Sequence, residues 1–174
     1  TLSNTRQNNS SPILYPVLLN VIESVDASPA VLRLPSAVAS VLVILVILSL
    51  PRVGIDKRVA FLAAILLVFS ASQIRYAQEV REYSLSVLVA SIMLYSCVSY
   101  CRDRYRRYLF LSVMFLAPLV QYGLVLFAAA LLLFAGVQEL YSHGWKKAIS
   151  TLLLPTVCLM VGGAISAWLT LRFQ

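Results

Sequence analysis

Residues 108–138 read YLFLSVMFLAPLVQYGLVLFAAALLLFAGVQ, 31 residues without a single charge. As one helix this stretch would be about 46 Å long, against a hydrocarbon core of about 30 Å. Near its middle, Pro118 and Gln121-Tyr122-Gly123 offer a break and a turn. Read that way it is a hairpin of two short crossings, and the parity of every other crossing follows from it.

Working outward, apolar runs occupy about Leu34–Leu50, Val59–Ile74, Tyr83–Tyr100, Tyr108–Val120, Leu124–Val137 and Ile149–Leu171. Between them lie three basic loops: Arg52/Lys57/Arg58, Arg102/Arg104/Arg106/Arg107 and Lys146/Lys147. Together these hold nine of the fourteen Lys and Arg residues. Basic loops stay on the cytoplasmic side, so an even number of crossings must separate each from the next. The hairpin at 108–138 satisfies that condition, and the expectation is an all-α, polytopic bundle of about six spanning helices (34–50, 59–74, 83–100, 108–120, 124–137 and 149–171), one domain over residues 34–171. Residues 1–33 are then an external loop. Within it, Ile13, Leu14, Val17, Leu18, Val21, Ile22 and Val25 recur at helical spacing, which predicts an amphipathic juxtamembrane helix over about residues 12–25.

Composition supports the same class. Hydrophobic residues make up 60% of the 174 and charged residues 12%, with a mean hydropathy of +0.86; a soluble domain carries about a quarter charged residues. The net charge of +7 does not indicate nucleic acid, because the cations fall in short clusters between apolar runs and form no continuous face. Three cysteines, Cys97, Cys101 and Cys158, show no metal-ligand spacing and read as packing residues. His143 reads as a surface residue without partner acids, and Gly162-Gly163 as a point of close helix packing. The polar opening without an initiator methionine, and the stop at Gln174 straight after an apolar run, read as the two ends of an internal piece of a longer protein.

The chemistry concentrates in Arg75-Tyr76-Ala77-Gln78-Glu79-Val80-Arg81-Glu82-Tyr83, placed by the loop charges on the external side. On a continuous helix, Arg75, Glu79 and Tyr83 would stack at i, i+4 and i+8. One reading is a solvated helix end, with an Arg75–Glu79 pair and tyrosines in an interfacial belt. The other is a polar pocket, with Arg81 holding a phosphate bidentately and Glu79 or Gln78 holding hydroxyls.

Three segments in order carry a resemblance: Ser11-Pro12-Ile13-Leu14-Tyr15, Leu32-Arg33-Leu34-Pro35-Ser36-Ala37, and Tyr76-Ala77-Gln78-Glu79-Val80-Arg81-Glu82-Tyr83-Ser84-Leu85. They resemble three landmarks of the polytopic GT-C glycosyltransferases of the protein O-mannosyltransferase / aminoarabinose-transferase type. Ser11 stands where that family has histidine, and Glu82 where it has proline, putting a negative charge beside Arg81. The resemblance implies transfer of a sugar from a polyprenyl-phosphate donor to a lipid, glycan or protein acceptor at the external face of a bacterial inner (plasma) membrane. It points to Arg81, Glu79, Gln78, Tyr83 and Arg33 as donor- or phosphate-binding candidates, and to Pro12 and Tyr15 as a loop landmark. The family's catalytic aspartate lies upstream of the first landmark, so no catalytic residue is expected in this chain. No metal site or cofactor is evident, and a divalent-metal requirement stays open. The partners expected are the lipid-linked sugar, its acceptor and membrane lipids, with no nucleic acid. The competing readings are a transporter or permease segment and a non-catalytic membrane subunit.

Overall fold

The computed structural model describes residues 14–24, 28–102 and 107–173. Among them are eight α-helices and no strand: α1 (Leu14–Glu23), α2 (Pro29–Ser49), α3 (Lys57–Val68), α4 (Ala71–Gln78), α5 (Tyr83–Arg102), α6 (Arg107–Val120), α7 (Leu124–His143) and α8 (Trp145–Phe173). The chain is an all-α bundle of apolar helices.

Several ends differ from the bounds read off the apolar runs, each for a local reason. Helix α2 begins ahead of its apolar run because Ser28 caps it. The Ser28 hydroxyl accepts from the Val31 N–H at 3.4 Å, and Pro29 presets the first turn. Arg33 is therefore a residue of α2 and not the last residue of a loop. The run 59–74 is not one straight helix. It breaks after Val68, Ser70 caps a new helix by accepting from the Gln73 N–H, and α4 leaves α3 at 59°. Ser70, Ser72 and Gln73 are the polar residues that spoil the apolar run at that point. In the hairpin the division falls at Gln121–Gly123, between α6 and α7.

Among the described residues, four helices are long and apolar enough to cross a membrane, or five counting the bent α3–α4 pair. Helix α6 has 14 residues, about 21 Å. A crossing by α6 would need a thinner bilayer around it or flanking side chains that reach to the interface.

Two cores share α5. On one side Ala39, Val43 and Ile47 of α2 meet Ala60 and Ala64 of α3 and Leu88 of α5. On the other, Met93 and Cys97 of α5 pack with Phe110 and Met114 of α6, Ala128 and Leu131 of α7, and Leu159 of α8. Outside the cores, Leu66, Leu126, Leu133 and Leu171 are each more than 70% exposed. Water would penalise such a surface, while lipid covers it without cost.

The buried serines of α5 are satisfied within the bundle. Ser91 and Ser96 donate to the Val87 and Met93 carbonyls, and Ser84 accepts from Ser40 of α2 at 3.2 Å. The carbonyl gap at one helix proline is filled in the same way. Pro155 of α8 lacks the N–H that would reach the Thr151 carbonyl, and the Tyr100 hydroxyl donates to that carbonyl at 3.4 Å. Helices α6 and α8 approach so closely that a Cβ on Gly162 would collide with the Phe115 carbonyl, whereas Gly163 has open space.

Candidate functional site

Two segments more than forty residues apart in sequence, Arg33 and the stretch 75–83, line one cavity. Arg33 comes from α2, Arg75, Tyr76 and Gln78 from the end of α4, Glu79, Val80 and Arg81 from the link to α5, and Tyr83 from the first turn of α5. The cavity is open to the exterior and measures about 590 Å³. Arg33 and the cluster residues Gln78, Glu79, Arg81 and Tyr83, the candidates from sequence, all line it.

The continuous helix through 75–83 is not formed. Helix α4 stops at Gln78, Glu79 takes an extended conformation (φ −90°, ψ 142°), and α5 starts at Tyr83. The break wraps Glu79, Val80 and Arg81 around the cavity, where a helix would have spread them over separate faces. The carbonyl of Arg81, freed from a helical ladder, accepts from the Ser36 hydroxyl of α2 at 3.3 Å.

That serine joins the site to α1. The Tyr15 hydroxyl lies 3.5 Å from Ser36 Oγ, at the long end for a hydrogen bond, and both side chains are buried. Since Ser36 has one proton and gives it to Arg81, Tyr15 must be the donor to Ser36. Tyr15, Ser36 and Arg81 belong to the three sequence landmarks, so the landmarks converge through one hydrogen-bonded chain. Burial pushes the Tyr15 phenol above its ordinary value. Burial is the largest cause, and the negative charge of Glu82 adds to it. Glu82 thus acts on Tyr15 and is not a wall of the cavity.

The cavity's charge is dominated by three arginines against one glutamate. Arg75 Nε donates to Glu79 Oε1 at 2.9 Å, with the Arg75 side chain 78% exposed. A pair so exposed contributes at most about 1 kcal/mol. Among the described residues neither Arg33 nor Arg81 has a carboxylate at ion-pair distance. The Arg81 guanidinium sits 5.9 Å from the Tyr83 ring centre, and the Tyr83 and Tyr76 rings lie 5.0 Å apart. The two tyrosines give the cavity an apolar flank beside its cations.

The sequence offers Arg75 only as a partner for Glu79, Tyr76 only as an interfacial-belt tyrosine, and Ser36 no role of its own. Tyr76 was marked by its pairing with Tyr83 at a separation of seven. Ser36 stood inside the second landmark, but its bond to the Arg81 carbonyl arises only through the fold. Pro12 lies outside the described residues. His143 does have a partner acid, because α7 continues to its position and sets Glu139 Oε2 at 3.0 Å from Nδ1, one turn earlier. Among the described residues no group of three His, Cys, Asp or Glu side chains could hold a metal ion.

The family model described as dolichyl-phosphate-mannose-protein mannosyltransferase matches residues 10–168. No curated protein and no solved structure matches the chain.

Proposed function

The chain belongs to the dolichyl-phosphate-mannose-protein mannosyltransferase family, a family of membrane glycosyltransferases, and from that premise we propose that the arginine-lined cavity receives the phosphate of a polyprenyl-phosphate sugar donor. The observation that carries the reading is the convergence of Arg33, Arg75 and Arg81 on one open cavity that contains a single carboxylate.

Sugar transfer breaks the bond between the sugar and the lipid phosphate, and negative charge builds on the departing phosphate. Guanidinium groups fixed around that position stabilise the charge as it develops, and each can hold two phosphate oxygens at once. Arg81 is the principal group. Its backbone is held by Ser36 and its side chain rests by Tyr83. Arg33 and Arg75 add charge from α2 and α4. Gln78 and Glu79 offer hydrogen bonds to sugar hydroxyls, and Tyr76 and Tyr83 offer an apolar surface to the sugar ring or the lipid. The base that deprotonates the acceptor hydroxyl is not assigned to any of these residues. The site faces the external, periplasmic side of a bacterial inner membrane, and the acceptor is a lipid, glycan or protein.

The test is Arg81→Ala in the full-length protein. Transfer to acceptor should fall about 100-fold or more, the scale for losing one group that stabilises transition-state charge, while membrane insertion stays intact. Arg81→Lys should recover only part of the rate, because an ammonium cannot reproduce the two-pronged contact. Unchanged transfer in Arg81→Ala would overturn the site.

A further inference from the structure

A second cavity, about 560 Å³, opens at the opposite end of α2, lined by Leu48, Pro51, Arg52, Lys57, Arg58, Ala60 and Phe61. The 3-10 turn at Leu50–Val53 builds it. Pro51 sets the entry, Gly54 at φ 100° closes the turn, and the Ile55 N–H bonds back to the Leu50 carbonyl. Arg52 on that turn is thereby held beside Lys57 and Arg58 at the start of α3. The nearby acid, Asp56, is not a wall of the cavity. Its carboxylate caps α3 by accepting from the Arg58 N–H at 2.7 Å. Among the described residues none of the three cations has an ion-pair partner.

Below the cations the lining turns apolar. Leu48 is 44% and Phe61 59% exposed, both on the flanks of helices long enough, alone or as a bent pair, to enter a bilayer. Cations at the mouth with apolar side chains beneath match a molecule that has an anionic head and hydrocarbon directly attached. We propose that this groove is a binding site for an anionic phospholipid, with Arg52, Lys57 and Arg58 on the phosphate and Leu48 and Phe61 against the upper acyl chain. A free phosphate would leave the apolar wall unused. A basic pocket between membrane helices at the positively charged side fits this ligand chemistry. The site is separate from the arginine cavity and does not depend on the reading given to it.

The full-length protein purified in detergent is titrated with phosphatidylglycerol or phosphatidylcholine, and bound lipid is counted by native mass spectrometry. The wild type should retain phosphatidylglycerol preferentially. Arg52→Gln/Lys57→Gln/Arg58→Gln should lose that preference, with affinity falling roughly fivefold for each cation removed. All three residues are exposed, so the bundle should tolerate the change, and Lys146→Gln/Lys147→Gln serves as the control at another basic loop. Phe61→Ser, which keeps the cations, should weaken lipid retention without affecting inorganic phosphate. Equal phosphatidylglycerol retention by the wild type and the triple variant, or equal loss in the control, would overturn the proposal. So would complete displacement of the lipid by millimolar inorganic phosphate, which would identify a simple anion site.

Discussion

Ser36 shows how much one side chain can organise. It is fully buried within α2, and its hydroxyl bonds to the Arg81 carbonyl while lying next to the Tyr15 hydroxyl. Each bond is long, so neither contributes more than about 1 kcal/mol. Their effect is positional, fixing the segment that carries Glu79 and Arg81. Tyr15 reports on the same connection. Its phenol titrates above the ordinary 10.0 in the folded chain. A group with a raised folded pKa gives its full stability below the unfolded value and loses it as pH rises through the folded one. The docking of α1 should therefore weaken above pH 10. A spin label at exposed Val21 should become mobile in that range in the wild type, while Tyr15→Phe should show no such alkaline step. The same response in both proteins would exclude Tyr15 as its source.

At the scale of elements, the apolar runs located the helices, and the polar interruptions explained their ends once the caps were visible. Ser28-Pro29 and Ser70 are ordinary capping signals, yet both sit beside apolar runs whose hydropathy masks them. The bend at Ser70 and the stop after Gln78 were less legible. No glycine or proline marks either, and the link over Glu79–Glu82 is supported by a bond from another helix. Two predictions belong here. Tyr100→Phe should cost about 1 kcal/mol of stability, because it leaves the Thr151 carbonyl without the hydroxyl that fills the gap at Pro155. In a Pro155→Ala background the restored N–H should absorb most of that cost, so a thermal-denaturation cycle should be clearly non-additive. Gly162→Ala should cost about 1–3 kcal/mol by forcing α6 from α8. Gly163→Ala, with open space around it, should be close to neutral. Similar melting points for the two glycine variants would contradict the packing.

At the scale of the whole molecule, the three basic loops predict one common side and the arginine cavity the other. In a cysteine-free background, Gly123→Cys should react with a membrane-impermeant thiol reagent added outside intact cells, and Lys146→Cys only after lysis. Gly123 has open space at its Cβ position and Lys146 is exposed, so neither change should disturb the fold. The reverse labelling would invert the topology. The sequence by itself determined the class of the molecule, because hydropathy and loop charge act over short stretches and respond to a membrane without reference to the rest of the chain. The charge cluster at 75–83 was conspicuous beside apolar runs, and the family resemblance of its landmarks pointed to Arg33, Gln78, Glu79, Arg81 and Tyr83. Only the tertiary structure decided that these residues face one cavity with Arg75 and Tyr76, that Ser36 lies between Tyr15 and Arg81, and that Arg33 lies within a helix. Those outcomes depend on where α2 meets α4 and α5, and contacts between residues more than forty positions apart leave no periodicity in a single sequence.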